Sequence, residues 1–355
     1  MLDHTQIDNL QQFLRSKNII GSSDLDVEVL SGGQSNPTYI IKSGDSQLVL
    51  RRKPFGPILA SAHATDREYR VMNALGQTNV PVPKMHLYVQ DADVIGAEFY
   101  LMEYVQGRVF VDQTLPTLTS QERSQIYQEM NRIISNLHQV DYQAIGLSDY
   151  GKSGNYFARQ IGRWSKQSLE GEVEINQSMR DLIEWLPLNI PQQEDVSIVH
   201  GDFRIDNLIF HPKKPEVIAV LDWELSTLGD PLADFFYHCM AWKIPYSLWR
   251  GIGGVDLKPL GIPELSNYIQ MYLNNAHRTS LGNANFYLAY NLFRMAGILY
   301  GIANRVKQGN AASKDAYETS QKAGPLADIG WDIAMGKCIF YNHLLIFSPH
   351  HPSSS

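Results

Sequence analysis

The sequence predicts an α+β fold of two lobes, with a small antiparallel sheet first and a larger, mainly helical lobe after it. The chain has 355 residues, more than one hydrophobic core usually serves, and 44% of them are hydrophobic, which is enough to fill two cores. Residues 25 to 105 have the texture of strands, and the residues after 107 have the texture of helices. We therefore expect an N-terminal lobe over residues 1–105 and a C-terminal lobe over residues 106–355.

The first two strands are predicted at Val27–Leu30 and Tyr39–Lys42, on either side of a loop of small and turn-forming residues. Glycines in such a loop let backbone N–H groups approach an anion closely. The loop has neither the GxxxxGK[ST] pattern of a P-loop nor the GxGxxG pattern of a dinucleotide site. A plain hairpin is the alternative interpretation.

A third strand is predicted over Gln47–Pro54, and alternation places Arg51 and Lys53 on the same face of it. A cation on that face can reach phosphate oxygens. The helix predicted over Ser61–Leu75 carries Glu68, whose carboxylate could point at the cation of the strand. A solvated surface glutamate is the alternative.

A further strand is predicted over Glu98–Val105 and is followed by Gly107, where we expect the connection between the lobes. Backbone groups at such a connection could pair with the edge of an adenine ring.

The most informative segment runs from His200 to Asn207, with Asp222 further along the chain. The residues between Asn207 and Asp222 predict two short strands joined by a hairpin loop, which brings Asp202, Asn207 and Asp222 to one edge. Oxygen-bearing side chains suit a hard cation such as Mg²⁺. The order HxDxxxxN followed by a later Asp is the order of kinase chemistry, in which the first Asp is the base. The segment therefore predicts a phosphoryl-transfer centre, and a purely structural loop is the alternative.

Composition excludes other classes of protein. The net charge of −7 argues against a nucleic-acid partner. The longest apolar stretches are interrupted or short, so we expect core helices and no membrane partner. The first residues lack the pattern of a signal peptide, and Cys239 and Cys338 fit buried thiols in a reducing compartment. We expect a cytoplasmic protein, and its oligomeric state leaves no trace in the sequence.

Several motifs together resemble one family. They are Gly32 to Asn36, Leu48 to Arg51, Glu68-Tyr69, Leu101 to Tyr104, His200 to Asn207, Leu221 to Glu224 and Gly229 to Asp234. The chain is similar over residues 25 to 300 to the aminoglycoside phosphotransferase and choline kinase group, whose fold is similar to that of protein kinases. HGD in place of HRD and DWE in place of DFG place it with kinases of small molecules. It looks most like the kinase-like domains fused to acyl-CoA dehydrogenases and their stand-alone bacterial relatives.

The resemblance implies roles for particular residues. Asp202 would be the base, Asn207 and Asp222 would hold Mg²⁺, and Arg51 would contact the phosphates of ATP and pair with Glu68. The family usually has Lys where this chain has Arg51, so the phosphate contact could differ or pass to Lys53. The residues that would cover the phosphates are Gly32, Gly33, Gln34, Ser35 and Asn36, and those that would lie along the adenine are Met102, Glu103 and Tyr104.

Other residues near these motifs have two interpretations. Arg204 could neutralise the transferred phosphoryl group or an acidic substrate, or it could brace Asp202 through a salt bridge. We expect Asp230 and Asp234 to cap a helix that begins at Pro231 and to tether the catalytic loop. We expect His200 to hydrogen-bond the backbone near Asp222. Candidates for the acceptor pocket are Tyr156, Arg159, Arg163, Trp164, Trp242 and Arg294.

The predicted function is transfer of the γ-phosphoryl group of ATP, with Mg²⁺, to the hydroxyl of a small molecule. The resemblance suggests a hydroxyacyl-CoA or a related hydroxy compound. The alternatives are a non-catalytic nucleotide-binding pseudokinase, which Arg51 favours, and a kinase of the aminoglycoside or choline type. A polycationic aminoglycoside would need an acidic acceptor cleft, which the arginines among the acceptor candidates do not favour.

Overall fold

A five-stranded antiparallel sheet and a large set of helices make up the fold, so the predicted α+β class is confirmed. The structure, a computed structural model, describes residues 2–30, 36–55, 64–152, 154–192, 195–310 and 315–337. The strands in these ranges are β1 Asp26–Val29, β2 Thr38–Ser43, β3 Ser46–Arg52, β4 Met85–Val89, β5 Phe99–Glu103, β6 Ser197–Val199, β7 Leu208–Phe210, β8 Val217–Val220 and β9 Thr227–Gly229. The α-helices are α1 His4–Ser16, α2 Thr65–Leu75, α3 Ser120–His138, α4 Tyr156–Leu169, α5 Gln177–Leu188, α6 Pro231–Cys239, α7 Leu257–Leu260, α8 Leu265–Asn275, α9 Ala284–Lys307, α10 Ala316–Ser320 and α11 Ala323–Ala334.

Contacts divide the chain into two compact units. Unit 1 comprises residues 1–111, 136–151 and 197–228, and unit 2 comprises residues 112–135, 152–196 and 229–355. Unit 1 therefore contains both the predicted sheet and the segment from His200 to Asp222. The boundary expected after Val105 concerns lobes and stays a prediction.

The sheet of unit 1 has the strand order β1-β2-β3-β5-β4, and every neighbouring pair is antiparallel. One face is apolar because Leu50 of β3 and Leu101 of β5 point the same way, and both pack in a core with Leu10 and Leu14 of α1. Helix α1 begins with a capping box at Asp3, which satisfies its first free N–H groups. The opposite face of the same strands is left for the site.

The predicted hairpin after Asn207 is confirmed: β7 and β8 pair antiparallel, with Leu208 opposite Val220. The backbone just past residue 105 joins this hairpin, because Arg108 N–H donates to the carbonyl of Phe210 over 2.7 Å. Gly107 makes this approach possible, since a Cβ at that position would lie 2.3 Å from Phe210 O. The connection expected at Gly107 is thus fastened to β7 within unit 1.

Unit 2 is built around α9, whose residues are buried on nearly all sides between Phe286 and Gly301. It packs against α4, α5, α6, α10 and α11. This confirms that the long apolar stretch before Val306 is a core helix. None of the helices in the described ranges combines the length and the hydropathy that a membrane crossing needs.

Helix α6 begins as predicted, with Asp230 as its cap and Pro231 at its first position. The Asp230 carboxylate accepts hydrogen bonds from the backbone N–H groups of Leu232 and Ala233. Cys239, at the end of α6, is buried as expected, and burial raises the pKa of its thiol. Cys338 and residues 61–63 of the helix predicted over Ser61–Leu75 lie outside the described residues.

Candidate active site

The loop after β6 is shaped by Gly201 and His200. Gly201 has φ +83, and a Cβ there would lie 2.7 Å from the carbonyl oxygen of Leu225, so only glycine fits. The Nδ1 atom of buried His200 accepts from Asp202 N–H over 3.2 Å, and its Nε2 therefore carries the proton and donates to Leu221 O over 2.8 Å. The predicted bond from His200 to the backbone beside Asp222 is confirmed.

The Asp202 carboxylate has partners on both oxygens. Asn207 Nδ2 donates to Asp202 Oδ2 over 3.2 Å and to the Asp202 carbonyl over 2.8 Å. Arg204 Nε lies 3.0 Å from Asp202 Oδ1, and Arg204 Nη2 lies 3.3 Å from Asp206 Oδ2. The contact of Arg204 with Asp202 is the bracing interaction that the sequence left open. The carboxylate is held in one orientation and stays partly accessible, with 16% of the side chain exposed.

Asn207 and Asp222 are brought together by the backbone. Leu221 N–H donates to Asn207 O over 2.9 Å, which extends the pairing of β7 with β8 and places Asp222 next in the chain. Asp222 has φ 64 and ψ 57, a left-handed conformation that Asp tolerates better than most residues. The hairpin thus brings three of the predicted site residues to one edge.

The oxygen donors at this edge fit Mg²⁺. Because the amide nitrogen of Asn207 donates to Asp202, its Oδ1 is the atom left to act as a ligand beside the carboxylate of Asp222. Five carboxylates lie near two guanidinium groups. Glu68, Asp222 and Glu224 contact Arg51, and Asp202 and Asp206 contact Arg204. The described residues contain no group of three or more His, Cys, Asp or Glu that could hold a metal alone. A cation here would need phosphate oxygens and water to complete its shell, as Mg²⁺ usually does.

Arg51 lies among three carboxylates. Its Nε is 2.9 Å from Glu68 Oε2, and its Nη2 is 3.3 Å from Glu224 Oε2 and 3.6 Å from Asp222 Oδ1. Burial would lower the pKa of Arg51, but the carboxylates outweigh burial and the pKa is raised. The predicted pair of Arg51 with Glu68 is present, and the same guanidinium reaches the DWE segment.

The buried carboxylate of Glu68 contacts three other side chains. Besides Arg51 it accepts hydrogen bonds from Tyr100 Oη over 2.8 Å and from Asn36 Nδ2 over 2.9 Å. Burial raises the pKa of Glu68 despite the opposing effect of Arg51 and these donors. Its partners rule out the solvated surface glutamate that was the alternative.

The other nucleotide-binding candidates have mixed outcomes. Asn36 is buried and bonded to Glu68, and the rest of the predicted phosphate loop lies outside the described residues, namely Gly32, Gly33, Gln34 and Ser35. Met102 lies opposite Val49 in the sheet and Tyr100 lies opposite Arg51, so these side chains share the face that carries the site. Glu103 N–H donates to Lys84 O over 2.8 Å and is used in strand pairing. Tyr104 follows β5 directly. The roles of these residues stay predictions.

The acceptor candidates all lie in unit 2, where several make structural contacts. Trp242 Nε1 donates to Pro263 O over 2.9 Å, and the Arg294 guanidinium lies 5.2 Å from the ring centroid of Tyr237. Arg159 donates to the carbonyl of Lys152 over 2.7 Å. Their part in acceptor binding stays a prediction.

A match over most of the sequence shows the family to which the chain belongs. The sequence profile of the phosphotransferase enzyme family matches residues 26–278. The chain belongs to the phosphotransferase enzyme family.

Relatives of this chain include longer proteins. Mouse "Acyl-CoA dehydrogenase family member 10" is 45% identical over 92% of this chain and 31% of its own length. Human "Acyl-CoA dehydrogenase family member 11" is 39% identical over 92% of this chain and 42% of its own length. The narrower resemblance to kinase-like domains of such proteins is thus confirmed, and the chain spans less than half the length of these relatives.

Solved structures of other proteins have the same fold as this chain. A "putative aminoglycoside phosphotransferase" from Ralstonia eutropha has 48% identity and a TM-score of 0.87, covering 95% of this chain and 99% of that chain. Aminoglycoside phosphotransferase APH(4)-Ia, in a complex with ADP and hygromycin B, has 15% identity and a TM-score of 0.57, covering 90% and 98%. The expected protein-kinase-like fold is confirmed.

Sequence reasoning missed three contacts of the candidate site. Tyr100 bonds Glu68, Glu224 bonds Arg51, and Asp206 contacts Arg204. Alternation along β5 was the available signal for Tyr100, because it places residues 100 and 102 on one face. Asp206 and Glu224 lie inside the motifs, but no local pattern indicates which side chain each of them meets.

Proposed function

We propose that this member of the phosphotransferase enzyme family moves the γ-phosphoryl group of ATP to a hydroxyl group of a small molecule. The observation that carries the proposal is the Asp202 carboxylate, which is held by Asn207 and Arg204 at the edge where Asp222 follows Leu221. A positioned carboxylate beside oxygen ligands for a hard cation is what phosphoryl transfer to a hydroxyl needs.

In the proposed reaction Asp202 accepts the proton of the acceptor hydroxyl. The acceptor oxygen forms a bond to the γ-phosphorus, and the bond from that phosphorus to the oxygen bridging it to the β-phosphorus breaks, which leaves ADP. Both oxygens of Asp202 have partners, so the carboxylate does not have to reorganise when the proton arrives. We expect no phosphoenzyme, since direct transfer asks little covalent chemistry of the protein.

Asn207 and Asp222 are the residues proposed to hold Mg²⁺, which when bound would neutralise charge on the phosphate oxygens. Arg51 is proposed to bind phosphate oxygens through its guanidinium while Glu68 fixes its direction. Gly32 to Asn36 are proposed to cover the phosphates, and Met102 to Tyr104 to lie along the base. Arg204 is proposed to brace Asp202 and to offset the charge of the transferred group.

The proposed acceptor is a hydroxyacyl-CoA or a related hydroxy compound. The support is that curated relatives with 39% and 45% identity are named as acyl-CoA dehydrogenase family members and carry this region as one part of a longer chain. A kinase joined to such an enzyme would act on a related acyl compound. We propose that the reaction takes place in the cytoplasm.

Two other functions remain to be separated from this one. A pseudokinase is favoured by Arg51, because the guanidinium already faces three carboxylates. A kinase of the aminoglycoside or choline type is favoured by the description of the Ralstonia eutropha relative as a putative aminoglycoside phosphotransferase.

The test is an acceptor panel. Purified protein would be mixed with Mg²⁺ and ATP or GTP, and with hydroxyacyl-CoAs, short hydroxy acids, choline, other amino alcohols or aminoglycosides, while ADP or GDP release is followed. Asp202→Ala and Asp222→Ala are expected to fold and to lack activity. Release that depends on hydroxyacyl-CoA and disappears in both variants supports the proposal. Release with aminoglycosides alone supports that alternative, and nucleotide binding without release supports the pseudokinase.

A further inference from the structure

Helix α2 is tied to the segment after Asp222 by a second set of contacts that contains none of the proposed catalytic or ligand residues. This set consists of Arg67, Tyr150 and Ser226, all in unit 1, and we call it the brace. Arg67 precedes Glu68 in the helix, and Ser226 follows the DWE segment. The brace therefore joins the two elements that Arg51 joins through its ion pairs.

The three residues of the brace contact one another directly. Arg67 Nη2 donates to Tyr150 O over 2.7 Å and lies 3.4 Å from Ser226 O. The Arg67 guanidinium lies 4.2 Å from the centroid of the Tyr150 ring, a cation–π distance. Tyr150 Oη lies 2.7 Å from Ser226 Oγ, where either hydroxyl can be the donor, and 3.3 Å from Arg67 O. One tyrosine thus holds a helix and a site segment at once.

The chain directly after Tyr150 also packs closely against β9. A Cβ on the next residue, Gly151, would lie 2.5 Å from Thr227 Oγ1 and 2.6 Å from Leu228 N, so the segment lies directly against the start of β9. Tyr150 is fully buried, and Ser226 is almost fully buried, which keeps water from competing for their hydrogen bonds. The segment has no room to shift without moving α2 or β9.

We infer that Arg67 and Tyr150 are positioning residues that hold Glu68 at the distance from Asp222 at which Arg51 can serve both. The reason is geometric. The side chain of Arg51 links Glu68 to Asp222, with its Nε 2.9 Å from Glu68 and its Nη2 3.6 Å from Asp222. A small rotation of α2 would therefore break one of these two ion pairs. The brace fixes that rotation at the neighbouring residue. This inference rests on the proposed function, because it assigns the brace a part in binding Mg-ATP.

The same helix offers a matched control. Arg70 lies one turn further along α2 and contacts the same segment through Gly146 O, over 2.8 Å, and through an ion pair with Asp149. These contacts are more exposed than those of the brace. They join Arg70 to Gly146 and Asp149 and do not involve the residues after Asp222. Loss of Arg70 therefore loosens the helix from the segment without touching the DWE side.

The experiment compares Tyr150→Phe, Arg67→Gln and Arg70→Gln. The dissociation constant of Mg-ATP would be measured by calorimetry and the melting temperature by circular dichroism. The values of kcat and KM would be measured with an acceptor that the panel identifies. We expect Tyr150→Phe and Arg67→Gln to weaken Mg-ATP binding by roughly threefold to tenfold, as loss of one or two hydrogen bonds implies. Arg70→Gln should stay within about twofold of the wild type on the same scale.

A double-mutant cycle separates positioning from general loss of stability. In a Glu68→Gln background, Tyr150→Phe should no longer weaken Mg-ATP binding, because the group that it positions is gone. An equal effect of Tyr150→Phe in both backgrounds, or wild-type affinity in both brace variants, would overturn the inference while the proposed function stands. If wild-type protein neither binds Mg-ATP nor phosphorylates any acceptor, it is the proposed function that fails.

Discussion

Arg51 has a geometry that a lysine at the same position could not reproduce. Its guanidinium offers donors on a rigid fork, so Nε faces Glu68 while Nη2 faces Glu224 and Asp222. A lysine ammonium is a single point charge on a flexible stem and can face one of these directions at a time. Lys53, the other cation expected near the phosphates, is paired with Glu98 at 2.8 Å. Arg51 is therefore the cation that joins the helix to the DWE segment.

Replacing Arg51 tests this geometry. Arg51→Lys should lower kcat/KM for Mg-ATP by roughly tenfold, since about one charge-assisted hydrogen bond is lost. Arg51→Gln should lower it further and also reduce the free energy of unfolding, because buried Glu68 loses its counter-charge. Steady-state kinetics and urea unfolding measure the two effects. Lys53→Gln is the control and should keep wild-type kcat/KM, and an Arg51→Lys variant as active as the wild type would contradict the argument.

Short-range patterns in the sequence predicted many of the strands and helices and part of the candidate site. Alternation predicted β3 and placed Arg51 on the face that meets Glu68, and turn residues predicted the hairpin after Asn207. The brace could not be predicted in this way, because Arg67 is 83 residues from Tyr150 and 159 residues from Ser226. Periodicity says which face a residue occupies, but not which distant segment covers that face.

Gly107 shows how one backbone contact fixes an element of the site. Gly107→Ala should reduce the free energy of unfolding by about 2 kcal/mol or more, because its Cβ would meet the carbonyl of Phe210 in β7. Activity should fall too, since β7 begins directly after Asn207. Chemical denaturation measures the first effect. Gly162→Ala is the matched control: it lies in α4 with open space around it, and it should stabilise the protein by about 0.5–1 kcal/mol.

The cap of α6 predicts a pH dependence of stability. Burial raises the pKa of Asp230 to about 7, against the opposing effect of the N–H groups that it caps. Between the pKa of the unfolded chain, about 4, and about 7 in the fold, the native state holds a proton that the unfolded state has lost. Stability should therefore fall as pH rises through this window, by at most about 1.4 kcal/mol per pH unit.

Asp230→Asn isolates this contribution. Asparagine is as good a helix cap as aspartate but does not titrate, so the variant should lose less stability than the wild type between pH 5 and 7. The free energy of unfolding in urea at several pH values measures the difference, and the charged neighbours of residue 230, Asp195 and Arg278, are common to both proteins. Parallel pH curves for the two proteins would show that Asp230 is ionised throughout.

The region that this chain represents occurs both in longer proteins and in a protein of similar length. It makes up 31% and 42% of the mouse and human relatives, and it corresponds to 99% of the chain in the Ralstonia eutropha structure. The Ralstonia eutropha chain thus crystallised without the additional length of the mouse and human relatives.

The balance of charge in unit 1 determines how ATP should affect the stability of this chain. ATP is a polyanion, and Arg51 already faces Glu68, Asp222 and Glu224, so the phosphates meet an excess of carboxylates unless a cation accompanies them. ATP with Mg²⁺ should raise the free energy of unfolding by about 2.7 kcal/mol at a hundred times its dissociation constant. ATP with EDTA should have little effect.

Differential scanning fluorimetry measures the stabilisation by ATP with Mg²⁺ and by ATP with EDTA. Asp222→Asn is the control, since asparagine also tolerates the left-handed backbone of residue 222 but removes the carboxylate. The Mg-dependent part of the shift should be lost in that variant. Equal stabilisation by ATP with and without Mg²⁺ would mean that Arg51 and backbone groups bind the phosphates alone and that Asp222 is not a metal ligand.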